Sequence, residues 1–95
     1  MFTYLSVRAH SVTVEGPTAP YETGQTISFT CSIIGGNPAP TKSWYKGSDL
    51  LAGETGDSLL LPLSVADNGK DVVCKATNSA GEKTNAMTLL IYSRY

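Results

Sequence analysis

The side chains that could do chemistry are few. Cys31 and Cys74 are the only cysteines and His10 is the only histidine in 95 residues. A structural zinc site takes four sulfur or nitrogen ligands at close spacings. Two separated cysteines and one distant histidine do not supply it, which leaves a disulfide or two buried thiols. Nucleophilic catalysis needs a Ser or Cys framed by a base. No such frame surrounds His10, which reads as an exposed linker residue. Glu15, Glu22, Asp49, Glu54, Asp57, Asp67, Asp71 and Glu82 are spread along the chain. They form no Asp-x-Asp-x-Asp-Gly loop of the calcium-binding kind. The expectation is no catalytic residue, no metal and no cofactor, and hence no enzyme.

The charge balance narrows the partners. The net charge is -1, and Lys and Arg occur singly. A nucleic-acid partner would ask for a basic patch. The chain is 41% hydrophobic and 16% charged, the composition of a folded protein. Its length suits one domain. The longest apolar runs are too short for a bilayer, and Met1 to Arg8 lacks the apolar stretch of a signal peptide. Any membrane attachment is therefore expected in segments outside this chain. Asn37 precedes Pro, and Asn68, Asn78 and Asn85 have no hydroxyl residue two places on, so no N-glycosylation signal is present.

Period-two alternation supplies the elements that must position these side chains. Ile27, Phe29, Cys31 and Ile33 alternate with polar residues, which predicts a half-buried strand with these four inward. Two Gly and two Pro in 35–40 end it as a loop. A strand from Lys42 to Lys46 follows, with Trp44 inward and Tyr45 outward. Leu59, Leu61 and Leu63 repeat the alternation around Pro62, which suits an edge strand. After a turn at Asp67-Asn68-Gly69, a strand from Asp71 to Asn78 puts Val72, Cys74 and Ala76 inward. Asn78 to Gly81 reads as a hairpin turn, and Met87, Leu89 and Ile91 mark one last strand. Val12 and Val14 mark an early strand, ended by Gly16-Pro17. Short strands with turns between them predict an all-β, two-sheet sandwich. Its core would hold an inward Cys, then an inward Trp thirteen residues later, then an inward Cys thirty further on.

That frame resembles the immunoglobulin superfamily. Cys31, Trp44, Cys74 and the run from Ala76 to Glu82 are similar to domains of I-set and short C2-like type. The resemblance implies a Greek-key sandwich with a Cys31–Cys74 disulfide packed on Trp44. Closing a loop of this length stabilises a fold by roughly 4 kcal/mol on chain-entropy reasoning. The loop 35–40 with Trp44-Tyr45-Lys46, and the turn Asp67-Asn68-Gly69-Lys70, are similar to nephrin-like adhesion receptors. One departure is plain. Such domains usually carry a Tyr two residues before the second Cys, its hydroxyl tying down the turn, and here that residue is Val72. Asp67 is expected to hold the turn instead by accepting backbone N–H bonds.

The resemblance implies an extracellular module of a cell-surface adhesion or recognition receptor. Its expected partners are proteins: another cell-surface receptor, homophilic or heterophilic, and neighbouring immunoglobulin domains of the same chain. Residues 11–93 are expected to form the domain, with 94–95 as a tail. Residues 1–10 are expected as an extension: the end of a preceding domain, a vector-derived stretch, or simply an added strand. Thr3 to Arg8 has the character of Thr88 to Arg94, which favours a tandem array. The surface suggested for a partner is the outward face of Ser43, Tyr45, Val73, Lys75 and Thr77, since outward aromatics are enriched at interfaces. The main role is expected to be that of a spacer, with this face as a secondary contact. The rival reading is a cytosolic I-set scaffold domain of a muscle-type giant protein.

Overall fold

Alternation decides where the strands lie and which face each one buries. A computed structural model describes residues 6–93. In chain order its strands are β1 (Ser11–Glu15), β2 (Tyr21–Glu22), β3 (Thr26–Ile34), β4 (Thr41–Lys46), β5 (Asp49–Leu50), β6 (Ser58–Pro62), β7 (Asp71–Asn78), β8 (Gly81–Thr88) and β9 (Ile91–Tyr92). A single turn of 3-10 helix, Val65–Asp67, joins β6 to β7. One sheet has the antiparallel order β1-β3-β6 and the other β5-β4-β7-β8, while β2 and β9 pair in parallel. This is the expected all-β sandwich.

The inward residues are those the alternation named. Ile27, Phe29 and Cys31 face Trp44, Val72, Cys74 and Ala76, and all seven are buried. Leu59, Leu61 and Leu63 are buried as well, while Ile33 is half-buried against the core. Pro62 ends the edge strand β6, where its missing N–H costs no ladder bond. Cys31 and Cys74 are joined across the core, with their Cα atoms 6.4 Å apart. Trp44 lies directly across the ladder from Cys74 and is fully buried. Its indole N–H donates to the Gly56 carbonyl at 2.9 Å, so the large ring carries no unmet donor into the core.

Two expectations change. The last strand is not continuous. β8 ends at Thr88 because β7, its partner, begins at Asp71. Beyond that point Leu89 bonds to Gly69 and Lys70 in the turn, and Ile91–Tyr92 crosses to pair with β2. Asp67 takes lysine ammonium groups rather than the backbone N–H bonds expected of it. Ser64 caps the 3-10 turn by accepting the Ala66 N–H, and the Asn68 side chain accepts the Ile91 N–H at 2.8 Å. At the other end of the chain, Val7 to His10 pack on the domain. Val7 exchanges two backbone bonds of 2.7 Å with Asn37, His10 donates to Ile34, and Ala9 is buried in the core. Met1–Leu5, which carry part of the likeness to the C-terminal segment, lie outside the described residues, as do 94 and 95.

A tyrosine bond of the expected kind occurs elsewhere in the fold. Tyr21 is buried edge-on to Phe29, with ring centroids 6.2 Å apart. Its hydroxyl donates to the Pro17 carbonyl four residues upstream at 2.6 Å, and burial pushes its pKa up. The loop after β3 depends on Gly36, which has φ +101; a Cβ there would stand 2.6 Å from the Pro40 ring.

The cross-link generates the first prediction. Titration of unreduced protein should find no reactive thiol, and replacing both cysteines by Ala should cost about 2–5 kcal/mol in denaturant unfolding. Two titratable thiols in the unreduced protein would contradict the pairing.

Candidate protein-contact face

The ladder register assembles a face that the sequence shows only in part. Directly opposed residues of an antiparallel pair share a side of the sheet. Tyr45 lies opposite Leu50 on β5 and Val73 on β7, and Val73 lies opposite Ala86 on β8. Leu50, Tyr45, Val73 and Ala86 therefore form one apolar row across all four strands, on the side away from the core. Leu50 and Ala86 are exposed, and Tyr45 and Val73 half-buried. The next row is Ser43, Lys75 and Thr84, and the one beyond it Thr41, Thr77 and Glu82. All five residues expected on this face, Ser43, Tyr45, Val73, Lys75 and Thr77, lie on it together.

Lys75 is held over the row. Its ammonium sits 4.9 Å from the Tyr45 ring centroid and 3.6 Å from a Glu82 carboxylate oxygen. Tyr45 first, and then the charge of Glu82, keep this lysine above its ordinary pKa. A cation over the ring face is attracted by the aromatic quadrupole, which favours this placement of Tyr45.

Two lysines on the opposite side of β4 escaped the sequence reading. Lys42 and Lys46 share the inward phase of Trp44, two residues to either side. Their stems run along the core while their heads reach its rims. The Lys42 ammonium bonds to the Cys31 carbonyl at 3.1 Å and pairs with Asp57. That hydrogen bond, and then the charge behind it, hold the Asp57 carboxyl below its ordinary pKa. Both groups border a cleft of about 730 Å³ lined with Thr30, Ser32, Thr41 and Thr55. At the other rim Lys46 and Lys70 reach Asp67 at 3.3 and 3.2 Å. Burial of Asp67 works against its charge, but the two lysines outweigh that and hold its pKa below the ordinary value. The cluster ties the turn through Asp67 to β4, beside the β7 position where Val72 stands in place of a tyrosine. The signal for Lys42 and Lys46 was their even spacing from Trp44.

Among the described residues, no three His, Cys, Asp or Glu side chains group to hold a metal ion. None of their helices is long and apolar enough to cross a membrane.

The family described as "Immunoglobulin domain" matches residues 10–91. The chain belongs to the immunoglobulin domain family. Domains of this family are typically not enzymes. Over 74 residues the immunoglobulin domain is 36% identical to Cell adhesion molecule 4 of Homo sapiens, covering 73% of this chain and 19% of that protein. It superposes on a structure of Dscam1 isoform 4.44, N-terminal four Ig domains, with TM-score 0.74 and 24% identity, over 92% of this chain and 21% of that one. It also superposes on a chimeric titin Z1Z2 carrying a decorin peptide, with TM-score 0.64 and 26% identity, over 93% of this chain and 100% of that one. The chain spans from 2% to 19% of the length of the curated relatives it matches.

The Asp67 cluster generates the second prediction. A carboxylate whose pKa is lowered on folding stabilises the fold above its unfolded pKa, and that stability is lost as pH falls through the folded value. Asp67→Asn should cost about 1–3 kcal/mol at neutral pH, less than a fully buried pair because Lys70 is 43% exposed. The gap between variant and parent should close as pH falls below about 4. A gap that stays constant from pH 7 to pH 2 in chemical unfolding would contradict this role.

Proposed function

We propose that this immunoglobulin domain is a non-enzymatic, extracellular protein-binding module of a cell-surface adhesion receptor. Its contact surface is the outer face of the four-stranded sheet around Tyr45. The observation that carries this reading is the row of Leu50, Tyr45, Val73 and Ala86, with Lys75 laid over the aromatic. An apolar strip with a polar border is the anatomy of a contact patch, and aromatics at its centre usually carry the binding energy. On the sequence alone Tyr45 was a single exposed aromatic, and a spacer role outweighed it. Leu50 and Ala86 make the feature a continuous row and reverse that weighting.

The cell-surface setting is supported by the Cys31–Cys74 bridge, which persists in oxidising compartments, and by the likeness to Cell adhesion molecule 4. The finer assignment to the I-set/C2-like, nephrin-like group rests on the loop 35–40 and the turn Asp67–Lys70. A tandem arrangement is supported by the likeness to the four-domain Dscam1 fragment. A cytosolic scaffold role is the second reading, favoured by the titin superposition. It requires Cys31 and Cys74 to be reduced in native material, where electrophoresis with and without reductant separates the two.

The test of the contact face uses the 95-residue chain displayed in multiple copies and applied to cells. Tyr45→Ala and Val73→Asp should each lower bound signal at least about tenfold, the range seen for truncated central interface residues. The disulfide and the unfolding midpoint should be unchanged or nearly so. Undiminished binding by both folded variants would overturn this reading and restore the spacer.

A further inference from the structure

The charges beside the apolar row have an order of their own. Along β7 the outward residues run Asp71, Val73, Lys75, with Val73 in the row. One negative and one positive charge thus flank it at equal spacing, roughly 6–7 Å to either side. Among the described residues Asp71 has no cationic partner; its carboxylate accepts only the Thr88 hydroxyl, at 2.9 Å. Lys75 has a loose one, since Glu82 is 3.6 Å away and 56% exposed. The other lysines near a carboxylate, Lys42, Lys46 and Lys70, are spent on Asp57 and Asp67.

This pattern is self-complementary. Consider a second copy turned over by a two-fold axis that lies along the row. Its strands then run antiparallel to those of the first, and its row lies on the first row. Val73 meets Val73, Asp71 faces Lys75 of the second copy, and Lys75 faces Asp71 of the second copy. The directly opposed neighbours Ser43, Thr84 and Thr88 are uncharged, and Glu82, 3.6 Å from Lys75, is the one carboxylate that shares this lysine with the incoming Asp71. An axis along the strands would instead set Asp71 against Asp71 and Lys75 against Lys75, which repel. Charge therefore selects one arrangement of the two. Resting on the contact-face reading above, we propose that the face binds a second copy of this chain, antiparallel, with reciprocal Asp71–Lys75 pairs across the apolar row.

Sedimentation equilibrium of the 95-residue chain tests this from about 10 µM to about 1 mM, the range suited to one small, partly polar interface. The parent chain should show a monomer–dimer equilibrium. Asp71→Lys and Lys75→Glu should each weaken it at least about tenfold, because each sets like charges in contact. An equimolar mixture of those two variants should recover association as a heterodimer, and so should D71K/K75E with itself. Should a charge reversal disturb folding, the neutral variants Asp71→Asn and Lys75→Gln should weaken association in the same direction by a smaller factor. A parent chain that stays monomeric to the highest concentration overturns the proposal. So do reversals without effect, or a mixture that fails to recover. If cell binding still depends on Tyr45 while the chain stays monomeric, self-pairing falls and the contact-face reading stands. If neither holds, both fall.

Discussion

Trp44 stands across the β4–β7 ladder from Cys74, and the Cys74 sulfur reaches through the core to Cys31 on the opposite sheet. That junction locks the two sheets together and fixes the phase of β4 and β7. Once Trp44 and Cys74 must point inward, the period of two sends Tyr45 and Val73 outward, with no freedom to slip by one residue. A small sandwich buries only about two-thirds of its unfolded surface, so a cross-link at its centre is a large share of its stability. The outer face owes its order to the constraint beneath it.

The ion pairs repeat this logic at the rims. Lys42 and Lys46 extend from either side of Trp44 and end at Asp57 and Asp67. β4 is therefore held at its centre by the buried Trp44, across the ladder from the bridged Cys74, and at both ends by charge. On its outer side the same strand carries Ser43 and Tyr45. Rigidity matters for such a face, because ordering side chains on contact opposes binding. Lys75 over the Tyr45 ring reduces that cost further by favouring one placement of the aromatic beforehand.

Much of this was legible in the sequence where the information is local. The inward sets Ile27, Phe29, Cys31 and Val72, Cys74, Ala76 follow from alternation within single strands, and the structure buries all six. What was not legible depends on register between strands or on elements too short to have a period. The two-residue pair β2 and β9 carries no alternation, so the break after Thr88 was read as one continuous strand. Leu50 joins the Tyr45 row only through its pairing with β4, and no local pattern marks it. Lys42 and Lys46 were passed over because charged residues are rarely placed inward, although long stems allow it. Asp67 was assigned to the right turn but given the wrong partners, since those lysines were not yet in place.

The account rests on one face of the sandwich being the contact surface, and amide chemical shifts of the isotope-labelled chain report on it residue by residue. On raising the concentration, shifts should move at Tyr45, Leu50, Val73 and Ala86 and at their flanking residues on β4, β5, β7 and β8. The residues of β1, β3 and β6 should stay still. Movement concentrated on the β1-β3-β6 sheet would contradict the account, and no movement at any residue would contradict self-pairing through this face.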